Sequence, residues 1–583
     1  MPSRKEIAQF FFDPVLPVAK QYEGLRAYFV EECSARKIAL RLGYTLSSFQ
    51  TLVRDFKVNL KEGRKPEFFI SHRPGPKSTP KKDIVRMEAI TLRKRNYSIY
   101  DIQALLEAKG HIISHTAISE ILREEGFARL PKRSKAEVRQ VSISRPNIPE
   151  VTDVRQLNLS GGRKVTTEYG GLFLFLPILS ELGLEEIVAT FKYPGTNMIP
   201  AVSAILSHLV LKLIDKERHS HINDLNFDEG VGLFAGLNLL PKSTAISSYS
   251  YRTTRSMNLC FLEKLIHRIH TDILLDAKVF NLDFHPVPHR GEESVLERHW
   301  IPSRGKAFKS VLTFFAQDSD TRILCYSNAQ VYKRSQSEEV LKFVEFYKRI
   351  KGCYPTYLLF DSKLTTYQNL SQLNQRDIYF ITIRKRGTNL LKQALSKPKT
   401  AWQECRIDTP KRRFQKVKFI DTPVTIKDYE GKIRQLILKD LGRESPTFML
   451  TNDIKSSARN IITLYSQRAR IENSIGENVN FFHLDCLSSD LALNVDFDVT
   501  TTVLASLLYR ILASKLSGFE SCGPKLLFRK FILSKATVMV TQEAVKVYFS
   551  KRSHNPIVKA AHLDKTAPPV TWLGNRRTLL IYP

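Results

Sequence analysis

Residues 464–484 read LYSQRARIENSIGENVNFFHL. Tyr465, Arg468 and Glu472 stand there at i, i+3 and i+7, so a helix through the stretch brings them within about 60° of one another on a single stripe. An aromatic ring, a guanidinium and a carboxylate make a poor core face. They suit a site that handles a phosphate and a divalent cation, because the guanidinium donates forked hydrogen bonds and the carboxylate offers hard oxygens. A half-exposed helix with one local ion pair is the plainer alternative, and the sequence around it decides between the two.

Just upstream, 389–450 carries strand-like runs (QKVKFI, PVTIKD, IRQLILKD, PTFMLTN) broken by charged turns, with no long helix. This spacing predicts a mainly β insertion in front of the Glu472 helix. Trp402, near its start, is placed either to stack on an unpaired base or to fill a core. Further upstream, YPTYLLFDSKLTTYQNLSQLNQRDIYFITIRKRG (354–387) predicts a short buried strand over 357–360. Asp361 stands at the carboxyl end of that strand; a helix over 366–373 and a strand over 378–383 follow.

The segment AKVFNLDFHPV (277–287) alternates like a strand and carries Asp283 ahead of a proline break. Strands over 309–318 and 323–331 follow as in an antiparallel meander, and then a helix over 337–352. An acid at a strand tip beside another strand-borne acid is a way of gathering carboxylates for a divalent metal; a simple loop cap is the alternative. His285, His289 and His299 offer a weaker zinc reading.

In front of these strands, 165–278 is mostly helical in period. Two small helical pairs precede it. In SARKIALRLGYTLSSFQTLVRDF (34–56), Ile38, Ala39 and Leu42 form one apolar face, Gly43 a turn, and Phe49, Leu52 and Val53 a second face. In SIYDIQALLEAKGHIISHTAISEILREEGF (98–127) the pattern recurs, with Ser114 as a cap before Ile118, Ile121 and Leu122. Helix, turn, helix is the spacing of modules that enter a major groove, and also of plain helical hairpins. Between them HRPGPKSTPKK (72–82) is an extended basic strap, whose Arg73 and Lys77 suit a minor groove. Residues 51–100 hold 13 Lys and Arg against 5 Asp and Glu.

Over all 583 residues, 89 Lys and Arg face 58 Asp and Glu, a formal charge of +31 that favours a polyanionic partner, with a membrane surface as the competitor. The 7 cysteines are scattered and form no CxxC, which argues against a disulfide framework or a cysteine zinc site and fits a reducing compartment. The longest apolar runs, 170–184 and 201–214, are too short or interrupted to span a bilayer and predict buried helices. No GxxxxGK[ST] loop occurs, so nothing supports ATP use.

FNLDF around Asp283, LLFDSKLTTYQNLSQLNQRDIYFITIRKRG around Asp361 and LYSQRARIEN through Glu472 resemble the three acid blocks of the DDE transposases of bacterial insertion sequences. The last block is similar to the Tyr-x2-Arg-x3-Glu pattern of the group with a β insertion before the glutamate. That pattern continues with a lysine seven positions after the glutamate, where this chain has Val479.

The resemblance covers about 165–515 and implies an α/β, RNase H-like catalytic core with a β-rich insertion, preceded by all-α helix-turn-helix modules. It implies Asp283, Asp361 and Glu472 as catalytic residues and ligands of two Mg²⁺ ions, with Mn²⁺ as a substitute. DNA contacts are expected from Tyr465, Arg468, Arg73, Lys77 and Trp402. The expected domains are 1–70 and 96–130 (helix-turn-helix modules), 71–95 and 131–164 (linkers), and 165–278 (helical). They continue with 279–388 and 456–518 (core), 389–455 (insertion) and 519–583 (a β-containing tail). The expected activity is metal-dependent cleavage at the ends of a mobile element, followed by joining of the 3′-hydroxyl ends to target DNA. Alternatives are an inactive DNA-binding regulator and a metal-dependent endonuclease. The expected partners are double-stranded element ends and target DNA, bound by a homodimer without any membrane, in a prokaryotic cytoplasm at the nucleoid.

Overall fold

The computed structural model describes residues 17–63, 80–94, 97, 99–108, 111–127, 157, 159, 161–225, 227–270, 274, 277–289, 296–301, 304–362, 364–407, 416–440, 445–486 and 492–583. Arg73 and Lys77 lie outside them. The chain divides into two compact units, Met1–Ile84 and Val85–Pro583.

The first unit contains helices Pro17–Phe29, Ala35–Leu42 and Leu46–Lys61. Ile38, Ala39, Leu42, Phe49 and Val53 close one small core with Leu25 and Ala27. Gly43 ends the middle helix at φ 66°, a left-handed turn that glycine adopts without a Cβ penalty. Two residues on, Thr45 caps the third helix by accepting from the Ser48 amide at 3.2 Å.

The second unit opens on a comparable core, in which Val85, Ala89 and Leu92 pack with Ile102, Leu106, Ile118, Ile121 and Leu122. Ser114 caps the His115–Glu124 helix by accepting from the Ala117 amide at 3.2 Å. Arg86 ties this bundle together, donating to Glu124 and Glu125 at 2.6 Å each.

Among the described residues, fourteen strands follow: β1 Lys164–Thr167, β2 Val279–Pro288, β3 Arg298–Ile301, β4 Lys306–Asp318, β5 Leu324–Val331, β6 Tyr357–Phe360 and β7 Tyr379–Ile383. The rest are β8 Gln403–Arg406, β9 Lys416–Val424, β10 Ile433–Lys439, β11 Thr447–Thr451, β12 Ala536–Val540, β13 Ala544–Phe549 and β14 Arg577–Ile581. The larger sheet runs β3-β4-β2-β6-β7-β11-β10-β9-β8, with β5 also on β4. β2, β6 and β7 are mutually parallel, whereas β4 is antiparallel to β2 and β11 to β7. The strands of 403–451 therefore continue the main sheet edge to edge. A short helix, Thr388–Leu395, precedes them.

β2 does not stop at its proline. It runs through Pro286 to Pro288 against β4. The His289 amide donates to the Lys309 carbonyl, so odd positions of β2 face β4 and Pro286 and Pro288 fall on the other edge. β6 pairs only as far as Asn281, so that edge carries no ladder bonds for proline to remove.

The helical region is not wholly helical: Lys164–Thr167 pairs antiparallel with β12 in a second sheet, β1-β12-β13-β14. Next to it, Gly171 lies where a Cβ would stand 2.2 Å from the Phe531 carbonyl oxygen and 2.3 Å from Ile532 Cα. Ala201–Leu213 and Ala492–Lys515 are helices buried on almost every side. Lys212 of the first donates to Asp498 of the second at 2.9 Å and to the Phe482 carbonyl at 3.0 Å. Among the described residues, no helix is long and apolar enough to cross a membrane.

Candidate active site

The mixed sheet brings two of the sequence-predicted groups to one end of its parallel strands. Asp283 sits within β2 and Asp361 directly follows β6, its neighbour. The crevice beyond the carboxyl ends of parallel strands is where open α/β sheets bind ligands. Asp361 also forms part of the wall of a pocket of ≈ 420 Å³ with Ser362, Thr365, Thr366, Tyr367 and Lys385. One Asp361 oxygen accepts from the Ser362 amide at 2.6 Å.

Glu472 arrives from another direction. The single helix expected through 464–484 is two, Ala458–Ser466 and Ala469–Asn480. Across the junction the amides of Gln467, Arg468, Arg470 and Ile471 donate to carbonyls three residues back, a tightened 3₁₀-type turn. Arg468 keeps right-handed dihedrals at φ −53°, ψ −31°, so its i, i+4 relation to Glu472 survives.

The second of these helices and the junction before it are fixed against β4 and the turn after it by polar clamps that sequence pattern does not reveal. The Gln317 amide group donates to the Ser474 hydroxyl at 2.6 Å, and Ser319 donates to Gln467 at 2.8 Å. Arg470 donates to the Ser319 carbonyl. Each is an ordinary polar residue in the sequence, and only strand register makes it a partner.

Arg468 joins the acids. Its Nη1 donates to Asp283 Oδ2 at 3.3 Å and its Nη2 to Glu472 Oε1 at 2.6 Å. Burial works against the guanidinium charge, but Asp283, Tyr465, Glu472 and Asp361 outweigh it and raise Arg468 above its ordinary value. Burial also pushes the Asp283 carboxyl up, to about 6; Arg468 opposes this, and the Glu472 and Asp361 charges add to it. Tyr465 is pushed up to about 12, by burial first and by Asp361 and Asp283 among its neighbours, with Arg468 pulling the other way. Asp283, Asp361, Glu472, Arg468 and Tyr465 thus share one electrostatic environment.

The other predicted contacts lie elsewhere. Trp402 is half-buried against Ala394, Ile420, Ile437 and Phe448, and the Lys439 ammonium stands 3.9 Å from its ring centroid. Lys439 therefore covers a face on which a base would stack. Val479, at the position of the family lysine, packs against the main core. His285 pairs with Asp485 at 2.6 Å and His299 faces Glu297 at 3.5 Å. Among the described residues, no group of three or more His, Cys, Asp or Glu side chains stands in position to hold a metal ion.

Residues 269–506 match the family model described as the transposase DDE domain. That stretch is similar to a transposase DDE domain. It contains Asp283, Asp361 and Glu472 and spans the whole β8–β11 segment. No curated protein matches the chain. As a donor set, the three acids fit a divalent cation by chemistry: all three offer hard carboxylate oxygens, and burial with the Glu472 and Asp361 charges raises the Asp283 carboxyl. Arg468, bonded to two of the three, supplies positive charge among them.

Proposed function

We propose that the chain is a DNA transposase that cleaves element ends and joins their 3′-hydroxyls to target DNA, with Asp283, Asp361 and Glu472 as its catalytic carboxylates. The observation that carries this is Arg468 bonded to both Asp283 and Glu472 within a DDE domain. An RNase H-like core is supported by the order β5-β4-β2-β6-β7, three antiparallel strands followed by two parallel ones.

Asp283, Asp361 and Glu472 would hold Mg²⁺, with Mn²⁺ as a substitute. When bound, paired cations supply activation of the attacking oxygen and stabilisation of the leaving oxygen. Arg468 binds and orients the phosphate through its planar fork, and Tyr465 positions a phosphate or sugar oxygen. Water attacks first; the freed 3′-hydroxyl then attacks a second strand, so no covalent protein–DNA intermediate is needed. The Leu46–Lys61 and His115–Glu124 helices are the proposed groove-reading elements, and Arg73 and Lys77 the proposed minor-groove arm. Two ends must be brought together, which favours a homodimer on DNA, in a prokaryotic cytoplasm at the nucleoid. For Trp402, base stacking requires Lys439 to leave the ring.

A second reading, an inactive DNA-binding regulator, is favoured by Val479, which gives an apolar contact where the related pattern has a cation. Incubating the purified chain with labelled duplex from the flanks of its coding region, with Mg²⁺ or with chelator, tests both. Transposition requires metal-dependent cuts and strand-transfer products. Cuts without transfer indicate an endonuclease; binding without cuts indicates the regulator.

A further inference from the structure

The sheet β1-β12-β13-β14 turns one face to the core and the other to solvent. Side chains alternate along a strand, and partners across a ladder share a face. Val165, Val538 and Val547 are successive ladder partners, and all three are buried. The rows on either side of them point the other way. One is Lys164–Met539–Lys546–Leu579, and the other is Thr166–Thr537–Tyr548–Ile581. None of these residues is buried, and Tyr548 and Leu579 are 39% and 37% exposed. Arg577, two positions before Leu579 on β14, shares their face and is exposed.

The chemistry of this face is one-sided. Among the described residues, Lys164, Lys546 and Arg577 have no ion-pair partner, and the hydroxyls of Thr166, Thr537 and Tyr548 have no hydrogen-bond partner. Lys535, directly before β12, is paired with Glu168 at 3.4 Å. Over 519–583 the sequence has 11 Lys and Arg against 3 Asp and Glu. Of those acids, Asp564 accepts from the Leu580 amide at 2.8 Å and Glu520 from the Gly518 amide at 3.0 Å. Lysine, arginine, threonine and tyrosine are the side chains that bond phosphate oxygens, holding a nucleic acid without reading its sequence. A row of hydroxyls with cations beside it matches a phosphodiester strand. A second copy on the same face would set like charges against one another, so the charge favours a polyanion.

We infer that the outer face of this sheet docks the sugar–phosphate backbone of duplex DNA. Lys164, Lys546 and Arg577 meet phosphates, the Thr166–Thr537–Tyr548 row donates to their oxygens, and Leu579 packs against deoxyribose. Lys164 and Lys546 stand two strands apart, about 10 Å at the spacing of a sheet, or about three base pairs of rise. The inference rests on the proposed function for DNA as substrate. It adds a sequence-independent hold supplied by strands outside the 269–506 match.

The test titrates the full chain into a labelled random-sequence duplex at several salt concentrations, with thermal midpoints as the fold control. Each lost phosphate contact lowers the slope of log K against log salt by about 0.9. Lys546→Ala is expected to do this once, and Lys546→Ala with Arg577→Ala twice. Tyr548→Phe, which keeps the ring, is expected to weaken binding about fivefold at unchanged slope. Wild-type slopes and affinities in all of these variants would overturn the inference. So would unchanged slopes with altered self-association in sedimentation, which would make the face an interface between copies. Unaltered binding by variants of a chain that does cut end DNA removes the sheet alone. Sheet-dependent binding by a chain that never cuts keeps the sheet and removes the transposase reading.

Discussion

Nη1 of Arg468 lies 3.3 Å from Oδ2 of Asp283, although 185 positions separate the two residues. The same guanidinium reaches Glu472 at 2.6 Å, so one side chain couples the central strand to a helix that follows the β8–β11 segment.

Replacing Arg468 by alanine should therefore damage turnover more than folding. Losing a charged donor aimed at the reacting phosphate typically costs 10²–10³-fold in rate, and about that loss is expected in end cleavage. Lysine should recover only part of it, because an ammonium cannot bond two acceptors as a planar fork does. Single-turnover cleavage rates for both variants, with circular dichroism as the fold control, check this.

Asp361→Ala should abolish cleavage, whereas Asp377→Ala should leave it within a few-fold of wild type. Asp377 is exposed at φ 56°, on the turn that enters β7, at the opposite end of the parallel strands from Asp361. Cleavage that survives the first substitution and fails in the second would move the second acid to Asp377.

Acid should loosen the helical body through Asp498. Burial alone would push that carboxyl up, but the Lys212 ammonium and His219 outweigh it and hold it well below the usual carboxylate range. A depressed acid stabilises the fold above its unfolded value near 4, and that contribution is lost as pH falls through the folded value. Denaturant midpoints should drop below about pH 4. Asp498→Asn should remove that dependence and cost about 3–5 kcal/mol at neutral pH, because Lys212 stays buried without its partner.

Gly171→Ala should leave little folded protein. Its added methyl meets main-chain atoms of Phe531 and Ile532, which cannot rotate away as a flexible side chain would. Soluble yield and thermal midpoint should both fall sharply, and Gly→Ala at Gly476, where a Cβ meets nothing within 4 Å, is the control.

Much of this is legible in the sequence. Alternation located β2, and a short apolar run located β6 with Asp361 at its end. The i, i+4 spacing foretold the Arg468–Glu472 pair. The break at Gln467–Arg468 was hidden because its residues are all good helix formers and the change is only in hydrogen-bond step. Pro286 argued for an end to β2, since sequence does not say which edge lacks a neighbour. Partnerships set by register, such as Gln317 with Ser474 or Lys439 over Trp402, have no local signature. The union of β1 with β12 joins segments about 370 residues apart, beyond any periodic pattern.

The pairing of β7 with β11 has a mechanical outcome. Ile381 is bracketed by Leu359 on one side and Thr451 on the other, so the 403–451 strands hang from the sheet that carries Asp283 like a cantilever. A load on their far rim cannot be absorbed by a floppy joint. It would bend the plank whose neighbouring slat ends at Asp361, so a ligand seated out there would gain leverage over that acid.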